Sequence, residues 1–234
     1  MAYEWLLFDA DGTLFDYDLA EASALQRTFA QAGYPFAPGY LQTYRRINAR
    51  FWSEFERGRV TAEGIKSQRF VELFDSLQLE GDPLVFSRQY LVCLGEEAHL
   101  IDGAQAVLEA LSGRLGLVLI TNGLQSVQRS RLARSPIGHY FGDVIISEEV
   151  GASKPDGRIF DLAFEKMGYP AKSAVLIVGD SLSSDIRGGW AYGIDTCWYN
   201  PRRMPHDASV AATYEIHELT GVLPVVEQAA SRAG

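Results

Sequence analysis

The run Leu115-Gly116-Leu117-Val118-Leu119-Ile120 carries no polar side chain at any position. A strand with one face in water alternates apolar and polar residues. A run without alternation has to be covered on both faces, which is the condition of a parallel strand. Similar runs recur along the chain. Trp5-Leu6-Leu7-Phe8 comes first, Asp143-Val144-Ile145-Ile146-Ser147 reads as a third strand, and Ala174-Val175-Leu176-Ile177-Val178 as a fourth. Asp195 to Tyr199 supplies a fifth strand and Tyr214 to Ile216 a short sixth. Helical periodicity separates them, as in Ala104, Val107, Leu108, Leu111 and again in Ile159, Phe160, Ala163, Phe164, Met167. Alternation of this kind predicts an α/β fold, a doubly wound parallel sheet with helices on both faces.

One long stretch breaks the alternation. From Tyr17 to about Leu100 the pattern is helical only. Ala22, Leu25, Phe29 and Ala32 form one stripe, stopped by Gly33; Tyr40, Tyr44, Ile47, Phe51 and Phe55 form a second, stopped by Gly58. Thr61 suits the N-cap of a third helix, and Asp82-Pro83 opens a fourth with an N-cap followed by proline. The expected organisation is a sheet domain from residues 1–16 and 101–234, with residues 17–100 inserted as a small helical-bundle cap. An insert at a strand end borders the ligand crevice of such sheets, so a lid that excludes water is its expected role. Asn48 and Trp52 lie one turn apart beside the second stripe, where they could meet a base or ring; the bland alternative for the tryptophan is core packing. Arg45, Arg50 and Arg69 are expected to be solvated.

Composition limits the partners. The net charge of -9 provides no basic surface for a nucleic-acid polymer. Cys93 and Cys197 stand far apart in apolar company, as core residues of a reducing compartment. The N-terminus shows no signal peptide, and no apolar run approaches the ~20 residues of a membrane span, so the expected location is cytoplasmic and no membrane partner is expected.

The polar residues of interest all sit where apolar runs end. Asp9 and Asp11 follow the first run, and in extended chain positions i and i+2 share a face. Two like charges side by side call for a cation or a proton between them, and a hard ion such as Mg²⁺ suits carboxylates. Gly12 permits a tight turn immediately afterwards. Thr121-Asn122-Gly123 ends the second run, Lys154 lies in the loop after the third, and Gly179-Asp180 with Asp185 follows the fourth. Open α/β sheets bind ligands at this C-terminal edge. With strands ordered 3-2-1-4-5, Asp9 and Asp180 would converge and put three carboxylates around one ion.

Taken in order, Asp9-Ala10-Asp11-Gly12-Thr13, Thr121, Lys154 and Gly179-Asp180 with Asp185 resemble the four motifs of the haloacid dehalogenase superfamily, in its phosphatase form. The resemblance spans nearly the whole chain and implies a Rossmann-like core. It implies Asp9 as nucleophile through an aspartyl-phosphate, and Asp11 as general acid and then base. Asp9, the Asp11 carbonyl and Asp180 would hold Mg²⁺. Thr121 and the amides of Asn122 and Gly123 would hold phosphoryl oxygens, and Lys154 would supply positive charge. Asp185 would orient Lys154 or a metal-bound water. Dehalogenases of the superfamily lack the second aspartate, so Asp11 argues against dehalogenation.

Tyr44 to Phe55, Gly58 and Ile146-Ser147-Glu148-Glu149-Val150-Gly151 look like the branch of bacterial pyrimidine 5′-nucleotidases, though some members carry an acidic residue in place of Gly12. The expected partner is a small phosphorylated metabolite, foremost a nucleoside 5′-monophosphate, acted on by a monomer or homodimer. A sugar-phosphate or phosphoglycolate phosphatase is the alternative. A phosphoacceptor signalling module is the remoter one, disfavoured by the D-x-D spacing and the large insert. The stretch from Asn200 to Asp207 is read only as a surface connection.

Overall fold

A computed structural model describes residues 2–205 and 210–231. The strands are β1 (Trp5–Phe8), β2 (Gly116–Thr121), β3 (Asp143–Ile146), β4 (Val175–Gly179), β5 (Asp195–Tyr199) and β6 (Tyr214–Ile216). They form one six-stranded sheet in the order β3-β2-β1-β4-β5-β6. Every neighbouring pair is parallel. The first three strands step outward in one direction, and β4 then returns to the other side of β1. Phe8 pairs with Leu119 on one flank and Val178 on the other, so the ends of β1 and β4 meet at the reversal point.

The helices are α1 (Tyr17–Gln31), α2 (Tyr40–Glu56), α3 (Ala62–Leu77), α4 (Pro83–Glu96), α5 (Ala104–Leu111), α6 (Gln125–Arg134), α7 (Ser147–Val150), α8 (Gly157–Lys166), α9 (Arg187–Tyr192) and α10 (Val222–Ser231). The non-alternating runs are buried on both faces, as their pattern demands: Leu6, Leu7 and Phe8 are all sealed from solvent. On one face Leu7, Val118, Ile120, Ile145 and Ile177 pack with Ile159, Phe160, Ala163 and Phe164 of α8. Each large side chain so buried contributes about 1.5–3 kcal/mol.

The chain divides into two compact units. One holds residues to Tyr17, His99–Gln125 and Leu132 onward; the other holds Asp18–Ala98 with Ser126–Arg131. The second unit is built on α1–α4. Its interior is aromatic, with Phe86 edge-on to Phe29 at 5.1 Å and to Phe74 at 5.3 Å, and Tyr90 against Phe70 at 5.1 Å. The expected caps are present: Thr61 accepts from the Gly64 amide, and Asp82 Oδ1 from the amides of Leu84 and Val85.

The piece of α6 in this unit has no counterpart in the expected boundaries. Arg131 is buried there and its Nε donates to the Leu94 carbonyl at 3.3 Å, while Gly95 passes so close that an added Cβ would lie 3.1 Å from Ser130 Cβ. Periodicity cannot see this attachment, because the residues that α6 buries in the unit include Gln128 and Arg131. Arg69 also departs from expectation. It is only 1% exposed, with its guanidinium 4.9 Å from the Phe70 ring centre and 5.4 Å from that of Tyr90. Arg50 remains exposed, paired with Glu72. Among the described residues no helix is long and apolar enough to cross a membrane.

Candidate active site

The chain leaves β1 at Phe8 and turns at once. The Asp9 amide donates to the Val178 carbonyl at 2.9 Å, which fastens the turn to β4. Leu14 and Phe15 both donate to the Ala10 carbonyl, and the Gly12 amide donates to Phe15 O. Gly12 has φ +86°, in the left-handed region. An added Cβ at Gly12 would stand 2.5 Å from Asp180 Oδ2, so the turn is pressed against that carboxylate. Asp11 is near enough for its charge to act on Asp9. The carboxyl oxygens gathered with Asp9, all within 4.8 Å of one another, belong to Asp180 and Asp185. Asp11 is half-buried at the start of the turn and bridges to Phe15.

Lys154 is completely buried and its ammonium is surrounded. Nζ donates to Asp9 Oδ1 at 2.5 Å and to the Ile120 carbonyl at 2.7 Å, and forms an ion pair with Asp185 Oδ1 at 2.7 Å. Asp185 is locked from behind, its Oδ2 accepting the Ser181 amide at 3.0 Å. Gly179 makes room for it: a Cβ there would fall 2.3 Å from Asp185 Cγ. Thr13 Oγ1 lies 3.3 Å from Asp9 Oδ2 and 3.4 Å from Asp180 Oδ1, bridging the two carboxylates. The Asp180 carbonyl accepts from Trp198 Nε1 at 2.9 Å. Thr13 and Trp198 were not singled out from sequence. Thr13 lies inside the first motif and could have been; Trp198 is inside β5 and carries no such signal.

Charge is unbalanced here, with three carboxylates facing one ammonium. Burial pushes Asp9 up to about 7, with Lys154 pulling against that rise and Asp185 and Asp11 adding to it. Burial, then Asp9 and Asp185, raise Asp180 well above the ordinary carboxylate range. Burial alone would lower Lys154, but Asp185 and Asp9 outweigh it and the net shift is upward, so the ammonium stays charged. An all-oxygen, carboxylate-rich cradle with excess negative charge fits a hard divalent cation such as Mg²⁺.

Beside the carboxylates, Thr121 ends β2 with a buried hydroxyl that has no hydrogen-bond partner among the described residues. An orphaned donor at a strand end suits an anionic ligand. The neighbouring loop is tied on two sides. Asn122 Nδ2 donates to the Lys154 carbonyl at 2.7 Å, and Asn122 Oδ1 accepts the Lys154 amide at 2.8 Å. The Gly123 amide donates to Ser147 Oγ at 3.1 Å, so it is engaged within the protein and the expectation that it holds a phosphoryl oxygen is corrected. Glu148 Oε2 accepts the Gln125 amide at the start of α6. Ser147 was missed as a site residue, although the strand-end rule that selects Thr121 selects it too.

The residues expected to contact a base behave differently. Asn48 is buried inside the helical unit, where Nδ2 donates to Glu21 Oε1 at 3.0 Å and Oδ1 accepts from Arg69 Nη1 at 2.6 Å. A carboxamide spent on both atoms is a brace between buried charges, which corrects its expected role as a substrate contact. Trp52 is partly buried, edge-on to Phe55 at 5.6 Å. At the edge of the sheet, Asn200 fixes the start of its loop by accepting the Met204 amide at 2.8 Å and donating to Met204 O at 3.0 Å. Positions 206 and 207 of the expected connection lie outside the described residues.

The model of the haloacid dehalogenase-like hydrolases matches residues 3–193, which includes every motif above. The chain belongs to that family. It is 36% identical to the HAD-hydrolase YfnB of Bacillus subtilis over 93% of this chain and 92% of that protein. It is 35% identical to pyrimidine 5′-nucleotidase YjjG of Escherichia coli, covering 95% and 99%, and 32% identical to pyrimidine 5′-nucleotidase PynA of Streptococcus pneumoniae, covering 97% of each. A crystal structure of YfnB bound to magnesium superposes with a TM-score of 0.91 at 34% identity, covering 97% of this chain and 99% of that one. As a member of this family with nucleotidase relatives, the protein is an enzyme, a hydrolase of phosphoric monoesters.

Proposed function

We propose that the protein is a Mg²⁺-dependent 5′-nucleotidase that works through an aspartyl-phosphate on Asp9. The observation that carries the reading is the pair of groups set against Asp9, a buried ammonium at 2.5 Å and the Asp180 carboxylate, with the orphaned Thr121 hydroxyl at the end of the neighbouring strand β2. Asp9, the Asp11 carbonyl and Asp180 would hold the metal, which supplies positive charge against the substrate dianion. A carboxyl oxygen of Asp9 forms the new bond to phosphorus while the bond to the ester oxygen breaks. Asp11 gives its proton to the leaving alkoxide. It then takes a proton from water as that water displaces Asp9 from phosphorus and releases inorganic phosphate. Thr121 Oγ donates to the phosphoryl group, and Lys154 neutralises charge that grows during transfer.

The substrate class rests on YjjG and PynA, pyrimidine 5′-nucleotidases that align with nearly the whole chain. The domain division at 16/17 and 100/101 goes with it as the expected boundary of sheet domain and cap. Phosphate release across a panel of nucleoside monophosphates, sugar phosphates and phosphoglycolate, with Mg²⁺ or EDTA, tests the proposal. Pyrimidine nucleotides should lead and EDTA should silence the panel. Preference for sugar phosphates would refute the nucleotide assignment and keep the chemistry; activity undiminished by EDTA would refute the metal.

A further inference from the structure

Lys154 and Thr121 belong to different loops, and the proposed chemistry needs them at one fixed spacing. Lys154 comes from the loop between α7 and α8, outside the strands, so no sheet ladder holds its backbone. What holds it is Asn122. One planar carboxamide accepts the Lys154 N–H at 2.8 Å and donates to the Lys154 C=O at 2.7 Å. Bonds to both polar groups of a single residue fix its position and its rotation together. Asparagine is suited to this because it presents an acceptor and a donor side by side in a rigid plane.

The other end of the same lysine is tied to the same strand end, since Nζ donates to the Ile120 carbonyl at 2.7 Å. Lys154 thus lies along the terminus of β2, fastened to the residues on either side of Thr121. The loop itself is anchored to the end of β3 by Ser147, whose hydroxyl accepts the Gly123 amide.

We infer that Asn122 is a positioning residue, whose side chain registers Lys154 against Thr121 and Asp9 so that the two phosphoryl contacts act as one rigid unit. This goes beyond the role expected for Asn122, a backbone amide to the phosphoryl group, and it rests on the phosphatase reading above. Misplacing a reacting group by about 1 Å can lower a rate about 100-fold. Loss of the clamp should therefore be felt mainly in kcat, and only while Lys154 is present.

The test is a double-mutant cycle of Asn122→Ala and Lys154→Met. It is read by kcat and KM on an aryl phosphate, and by calorimetric binding of inorganic phosphate in saturating Mg²⁺. Asn122→Ala should lower kcat by about 10–100-fold with a smaller change in KM, and weaken phosphate binding by about tenfold. Mg²⁺ affinity without phosphate should change less than about twofold, which a general collapse of the loop would not allow. In the Lys154→Met background the same substitution should alter phosphate affinity less than about twofold.

Equal losses with and without Lys154 would overturn the inference, as would full activity in Asn122→Ala. Should Asn122→Ala fail to fold, Asn122→Ser carries the same cycle with a small polar side chain. Wild-type protein that neither binds phosphate nor hydrolyses an ester would instead bring down the phosphatase reading, and the catalytic purpose of the clamp with it.

Discussion

Replacing Lys154 with methionine keeps most of the side-chain volume and deletes the charge. The ammonium is wholly buried and sits 2.5 Å from Asp9 and 2.7 Å from Asp185, so its loss leaves the carboxylate cluster uncompensated in a desolvated site. Removing one partner of a buried ion pair costs about 3–5 kcal/mol, a large share of the 5–15 kcal/mol that roughly bounds the stability of a domain. The loss should depend on pH. In the metal-free fold Asp9 stands at about 7, against about 3.9 in an unfolded chain. A carboxyl raised in this way stabilises the fold most below pH ~3.9, and that contribution is lost as pH rises through 7. Without Lys154 the pull that restrains Asp9 is gone, so its pKa climbs further and the loss continues above pH 7.

Urea denaturation in EDTA at pH 8 and pH 5 measures this. At pH 8 the variant should fall short of wild type by the full 3–5 kcal/mol or so, and by clearly less at pH 5, where Asp9 is protonated. Excess Mg²⁺ at pH 8 should recover part of the difference. An equal deficit at both pH values would mean that lost packing rather than unpaired charge sets the cost, and the electrostatic account of the site would be wrong.

Three further outcomes are expected. Asp9→Asn should abolish turnover, because an amide is a poor nucleophile, whereas Asp11→Asn should lower kcat by about 10²–10⁴-fold with Mg²⁺ affinity largely kept; steady-state rates and metal titration separate the two, and near-normal rates for Asp9→Asn would falsify the covalent route. Gly12→Ala forces a left-handed backbone at roughly 1–2 kcal/mol and drives a methyl to within 2.5 Å of Asp180 Oδ2, so Mg²⁺ affinity should drop about 10–100-fold in calorimetry; unchanged affinity would show that Asp180 is not a ligand. Asn48→Ala removes the group joining Glu21 to Arg69 inside the helical unit and should lower stability by about 2–3 kcal/mol in denaturant, with any change in substrate preference secondary; a shifted preference at full stability would restore Asn48 as a substrate contact.

Much of the fold was legible because its signals are local. Runs such as Leu117 to Ile120 without alternation demand two covered faces, and Asp82-Pro83 writes a helix start into two residues. Since ligands gather where parallel strands end, Asp9, Thr121, Lys154 and Asp180 could be picked out before any coordinates. Less legible was anything set by pairing at long range. Arg69 and Asn48 read as surface or contact residues because their buried partners lie in other helices.

By itself, the sequence determined the parallel sheet, the helical insert after the first strand, and the chemical types assembled at the strand ends, because patterning and motif spacing are properties of neighbouring residues. Only the tertiary structure decided which carboxylates meet. Asp185 joins Asp9 and Asp180, the Gly123 amide goes to Ser147, and Asn122 takes hold of Lys154. Those choices depend on strand order, on turns tight enough to need Gly12, and on buried polar groups finding partners such as Asp9 and Lys154, 145 residues apart.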